Sequence, residues 1–125
     1  MEKNLKFVND YDEKLFFEYT PEIYTFVVKG YCSQTFFMDG DVRKQVEKYL
    51  NDHISSIPTN TQIRICFHTE YLDSKVFRFF KDYFSRIKAS KPISFRLEIG
   101  SNHRVYGNLY NNALPGFEVK VANGN

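Results

Sequence analysis

Glu70 and Asp73 stand three residues apart, and paired carboxylates do acid–base work when their surroundings separate their pKa values. Nothing in the sequence turns the two toward each other. Cys66 and His68 form a second candidate pair, nucleophile and base. On a strand, positions i and i+2 share a face but lie about 7 Å apart, beyond hydrogen-bond reach. The three histidines, His53, His68 and His103, fall on a helix, a strand and a loop or helix start, without the HxxxH or HExxH spacing that brings two imidazoles to one metal. Each reads as a surface or rim residue. All six glycines are isolated, so no glycine-rich loop cradles a phosphate at a helix start. Catalysis has thin support, and the chain reads as a non-enzymatic protein with no cofactor and no metal site.

The informative chemistry lies at Tyr71-Leu72-Asp73-Ser74-Lys75-Val76. This junction follows the C-terminal end of an expected central strand and opens the strongest helical pattern in the chain, where open α/β sheets display functional groups. Two roles are compatible with it. Asp73 or Ser74 can simply cap the helix, worth about 1 kcal/mol. Ser74 can also accept a phosphate, which adds roughly −1.5 to −2 charges at the positive end of the helix. The domain itself tolerates that group, whereas a partner surface pressed on the helix does not.

The elements that position this junction follow from hydrophobic period. Leu5 to Val8 and Leu15 to Tyr19, separated by Asn9-Asp10-Tyr11-Asp12, predict a hairpin or two edge strands. Ile23 to Lys29, β-branched and aromatic between Pro21 and Gly30, predicts an interior strand. Val42, Val46, Tyr49, Leu50 and Ile54 trace an amphipathic helix with Asp41 as its natural N-cap. Ile63, Ile65 and Phe67 alternate with Arg64, Cys66 and His68 in a strand over Gln62 to Thr69. Val76, Phe80, Tyr83, Phe84 and Ile87, widened by Phe77 and Phe79, make one apolar stripe of a helix over Ser74 to Ser90. Ile93 to Ile99 alternates again, a weaker helix is expected near His103 to Asn112, and Phe117 to Val121 is the last strand. This alternation predicts an α/β fold with a mixed, mostly parallel sheet and helices packed on it.

A chain of 125 residues with 13 Phe and 9 Tyr is sized for one packed core. We divide it into an N-terminal β extension of the same domain (1–22), the main domain (23–122) and a loose tail (123–125). Seventeen basic against fifteen acidic residues leave a net charge of +2, with the signs interspersed, so nucleic acid is not an expected partner. The charged N-terminus holds no apolar run of signal-peptide or membrane-span length, which predicts a cytoplasmic location and no membrane span. Cys32 and Cys66 lie 34 residues apart without a CxxC or a neighbouring ligand set, and Cys66 is expected to be a buried thiol.

Three stretches together resemble a STAS domain, the fold of bacterial anti-sigma-factor antagonists and related partner-switching regulators. They are Ile63-Arg64-Ile65-Cys66-Phe67 leading to Tyr71-Leu72-Asp73-Ser74, then Pro92 to Ile99, then Asn108 to Val119. The similarity runs from about Ile23 to Val121. In that family the serine of an aspartate-serine pair is phosphorylated by a partner kinase, which implies Ser74 as phosphoacceptor, Asp73 as its capping neighbour, and a kinase, phosphatase or other regulator as partner. The family usually has small residues after the serine, where this chain has Lys75 and Val76. A related group of STAS-like phosphoproteins carries an asparagine-threonine-serine-serine stretch that is absent here, Thr69 being a remote substitute.

Three functions remain open on the sequence. A partner-switching regulator would use Ser74 with Asp73 and Lys75 at the contact. A scaffold or oligomerising module, a homodimer among the possibilities, would instead use Phe36, Phe37 and Met38, read as an exposed apolar patch in the loop Tyr31 to Gly40. A small-ligand or lipid-associated binding protein would use an aromatic-lined pocket at the same strand ends.

Overall fold

The computed structural model describes residues 3–38, 40–100 and 117–121. Two strands open the chain, β1 (Asn4–Val8) and β2 (Lys14–Thr20), paired antiparallel as a hairpin. Asn9 closes its turn, accepting on Oδ1 from the backbone N–H groups of Tyr11 and Glu13, both at 3.0 Å. Asn side chains favour turns for this reason, since they imitate a backbone acceptor.

Pro21 then opens a single 3-10 turn, Pro21–Ile23, that ends on Tyr24 in the left-handed region (φ 48°). The next strand therefore starts at Thr25, two residues later than the apolar pattern predicts, and Ile23 is left exposed. This strand, β3 (Thr25–Cys32), pairs antiparallel with β2 and parallel with β4 (Gln62–Leu72). β5 (Ser94–Ile99) and β6 (Phe117–Val121) continue the parallel series. The six strands lie side by side in chain order, β1-β2-β3-β4-β5-β6.

The connections carry helices α1 (Gln34–Met38), α2 (Gly40–Ile54) and α3 (Ser74–Ser90). Alternation decides which face of the sheet they cover, because successive side chains on a strand point to opposite sides. Leu15, Phe17 and Tyr19 of β2, Phe26 and Val28 of β3, and Ile63, Ile65 and Phe67 of β4 all enter one buried cluster with the apolar stripes of α2 and α3. The fold is thus an α/β two-layer structure with α1, α2 and α3 on one face of a mixed sheet. The other face carries charge: Arg64 donates to both carboxylate oxygens of Glu98 (2.7 and 3.0 Å), and Lys29 reaches Glu18 at 3.3 Å.

The first two strands form the expected hairpin at the edge of the same sheet, and β2 sends three buried side chains into the core. Several other expectations need correction. Asp41 lies inside the first turn of α2, which begins at Gly40. His53 is buried, not at the rim: it packs on the rings of Tyr19 and Tyr49 at 4.6 and 4.8 Å. Phe36 and Phe37, expected to be an exposed patch, are 2% and 7% exposed. The segment coils into α1, which turns Phe37 onto Phe79 and Phe80 at 5.3 and 5.6 Å. The side chain of Met38, the helix expected near His103 to Asn112 and the tail at 123–125 lie outside the described residues. Both cysteines are free and buried. Burial pushes both thiols up from their ordinary pKa, and at Cys66 the Glu98 carboxylate adds to the rise while Arg64 and Arg96 oppose it; raised thiols of this kind suit inert residues. Among the described residues, no helix is long and apolar enough to cross a membrane.

Candidate functional site

The junction around Asp73 is built by the ends of two adjacent parallel strands. β4 runs three residues beyond its expected end, and its register against β3 slips there, from Gly30 opposite Thr69 to Tyr31 opposite Tyr71. One extra β4 residue, Glu70, is bulged out, and a bulge places two successive side chains on one face. Both Glu70 and Tyr71 are accordingly exposed while Thr69 and Leu72 on either side are buried. Tyr71 comes to rest beside Tyr31, ring centroids 6.4 Å apart. The Asp73 N–H then donates to Cys32 O at 2.9 Å, tying the end of β4 to the end of β3.

Asp73 is the N-cap of α3. Its backbone is extended (φ −71°, ψ 140°), its Oδ1 accepts from Lys75 N at 2.8 Å, and its carbonyl accepts the first helical bond from Phe77 N. The Tyr71 hydroxyl donates to Asp73 Oδ2 at 3.4 Å. The Asp73 charge also raises the Tyr71 pKa above the ordinary tyrosine value, with burial, that hydrogen bond and the Glu13 carboxylate adding to the effect. Both oxygens of Asp73 are therefore engaged locally. Glu70, exposed on the bulge, has no contact with Asp73 among the described residues, so the acid–base pair considered from the sequence is not assembled.

Ser74 stands one residue further on, exposed, and its hydroxyl has no hydrogen-bond partner among the described residues. The sequence left open whether Asp73 or Ser74 caps the helix, and the geometry assigns the cap to Asp73. Two substitutions separate the roles. Asp73→Ala is expected to cost about 1 kcal/mol in urea unfolding. Ser74→Ala should stay within about 0.5 kcal/mol of the parent. A larger loss for Ser74→Ala would mean that the hydroxyl carries structure.

Beside this turn lies a cleft of ≈ 210 Å³ lined by Gln34, Phe37, Arg43, Lys75, Val76 and Phe79. Three helices contribute: α1 brings Phe37, the start of α2 brings Arg43, and the first turns of α3 bring Lys75, Val76 and Phe79. Phe37 and Val76 are buried as its floor, whereas Phe79 is half-buried. Arg43 donates to the Phe37 carbonyl at 3.5 Å. Thus Lys75 and Phe37, two of the expected contact residues, line the same cleft, but Phe37 enters as part of its buried floor. Sequence reasoning placed Tyr71 in the junction without giving it a role, and it gave none to Tyr31 or Arg43. Tyr71 needed the bulge, which leaves no signature in residue types, and Arg43 needed the packing of α1 against α2.

Comparison with family models, with curated proteins and with solved structures returned no match.

Proposed function

We propose that this chain is a non-enzymatic, protein-binding regulator that docks a partner on the start of α3 and is switched by phosphorylation of Ser74. The observation that carries the reading is the division of labour at the helix start. Asp73 performs the capping alone, and Ser74 presents a free hydroxyl in the first turn. A phosphate there meets the positive end of the helix dipole and is tolerated by the fold, while it places roughly two negative charges in the contact. The exposed Tyr71 ring beside it, backed by the half-buried Tyr31, supplies aromatic area of the sort that anchors protein interfaces. The resemblance to STAS-domain regulators supports the same site, with a kinase, phosphatase or other regulator as partner.

The scaffold reading lost its patch when Phe36 and Phe37 proved to be core residues. The ligand-binding reading has clefts of ≈ 210, 250 and 270 Å³ among the described residues, smaller than the roughly 300–1,000 Å³ of most small-molecule sites.

The test is a pull-down from the source lysate with the parent chain, Ser74→Ala and Ser74→Asp as baits, phosphate being mapped by mass spectrometry. A kinase or phosphatase retained by the first two and released at least about tenfold by Ser74→Asp, with the fold unchanged by circular dichroism, is the expected outcome. Equal retention on all three baits would sink the switch.

A further inference from the structure

We infer that the cleft between α1, α2 and α3 receives an acidic peptide segment of the partner, one that inserts a single bulky apolar side chain between flanking carboxylates. This inference rests on the protein-binding reading and names the partner's chemistry at the site. Size comes first. A cavity of roughly 150 Å³ admits benzene, so ≈ 210 Å³ takes one aromatic or leucyl group and no more. The floor suits such a group, being made of Phe37, Val76 and Phe79.

Charge decides what surrounds it. The two ionic residues on the lining, Arg43 and Lys75, are both cations, and neither forms a salt bridge among the described residues. The cleft is also the entrance to the most basic element of the chain. α3 carries Lys75, Arg78, Lys81, Arg86 and Lys88 against Asp82 alone, a strong local imbalance in a chain whose net charge is only +2. The Asp73 carboxylate already caps the N-terminal end of α3 and offsets its positive potential, so the attraction rests on the Arg43 and Lys75 side chains. A basic or neutral segment gains nothing from this field, whereas carboxylates on either side of the inserted side chain reach Arg43 and Lys75 together. Complementarity of this kind fixes register and partner choice more than raw affinity. The same geometry explains how Ser74 can act as a switch: its phosphate would arise next to Lys75 and compete with the incoming carboxylates for the same cations.

The probe is a synthetic pentapeptide, acetyl-Asp-Glu-Phe-Glu-Asp-amide, titrated into the isotope-labelled chain by NMR. Two comparison peptides replace its phenylalanine by alanine or its acids by lysines. Saturable shifts at Phe37, Val76 and Phe79 are expected, weakened about tenfold or more by loss of the phenylalanine, by the lysine exchange, and by Arg43→Glu combined with Lys75→Glu. Because both reversed residues are at the surface end of their helices, the double variant should unfold at the parent's temperature. If it does not, Arg43→Gln with Lys75→Gln replaces it. Shifts mapping elsewhere, equal binding of the lysine peptide, or indifference to the charge changes would overturn the assignment. Inorganic phosphate reproducing the full shift pattern would overturn it in favour of a simple anion site. Peptide-independent shifts that vanish on dilution would overturn it in favour of a second copy of the chain. Failure here leaves the Ser74→Asp pull-down untouched, and failure of that pull-down leaves the titration untouched, so the two readings fall separately.

Discussion

Phe80→Ala should remove about 4 kcal/mol of stability, the largest loss expected from any single truncation in the chain. The Phe80 ring lies within 5.3–6.3 Å of the rings of Phe17, Phe37, Phe67, Phe79 and Phe84. It thereby joins β2, α1, β4 and α3 at one point. Truncation deletes the buried surface of the ring and leaves a void that four rigid elements cannot close around. Domains of this size are stable by about 5–15 kcal/mol, so the variant should sit near the edge of folding. Urea unfolding followed by circular dichroism measures the loss. A cost below about 1.5 kcal/mol would show that the aromatic cluster repacks, contrary to the picture of interlocked rings.

Gly30→Ala should be the most damaging change of comparable size, for a backbone reason. Gly30 has φ +93°, and a Cβ there would lie 2.1 Å from the Lys14 carbonyl oxygen. The neighbour is backbone in a paired strand and has nowhere to rotate. Left-handed strain costs about 1–3 kcal/mol by itself, and the contact adds to it. We expect a melting temperature lower by roughly 10 °C or more. Gly40→Ala is the control, since a Cβ there meets nothing within 4 Å and alanine is the better helix former by about 1 kcal/mol. It should be neutral or stabilising. Equal effects at the two glycines would show that the β2–β3 approach is looser than described.

Gly30 matters beyond stability because the register slip that places Tyr71 follows it immediately. If Gly30→Ala moves the β2 partner, the Tyr31–Tyr71 pair should lose its alignment, and aromatic NMR shifts of Tyr71 would report it.

How far the sequence could be read depended on the length over which a pattern repeats. α3 was legible to the residue, Ser74–Ser90, because an apolar stripe of more than three turns, Val76 to Ile87, stands behind an aspartate cap. β5 was nearly as clear, since Phe95, Leu97 and Ile99 alternate without interruption. α1 was not legible: five residues make little more than one turn, and Phe36 next to Phe37 fits an exposed loop as well as a buried coil. His53 was recoverable, for it falls seven residues after Val46 and four after Tyr49 on the α2 stripe. Residue type outweighed position in that reading. At the site, Asp73-Ser74 could be found from types alone, but which of the two caps the helix is a matter of geometry. The Tyr31–Tyr71 pair and the Arg43–Lys75 cleft arise only when separate elements meet.

The strand order has a consequence for how the sheet is assembled. Each strand's neighbours are the ones before and after it along the chain, so no pairing waits for a remote segment to return. The two antiparallel pairs close over short spans, which is cheap, whereas the parallel pairs need longer crossovers and form more slowly. The polymer can therefore lay down its sheet in the order of its synthesis. Ser74 and the residues lining its cleft all precede β5 and β6 in the chain.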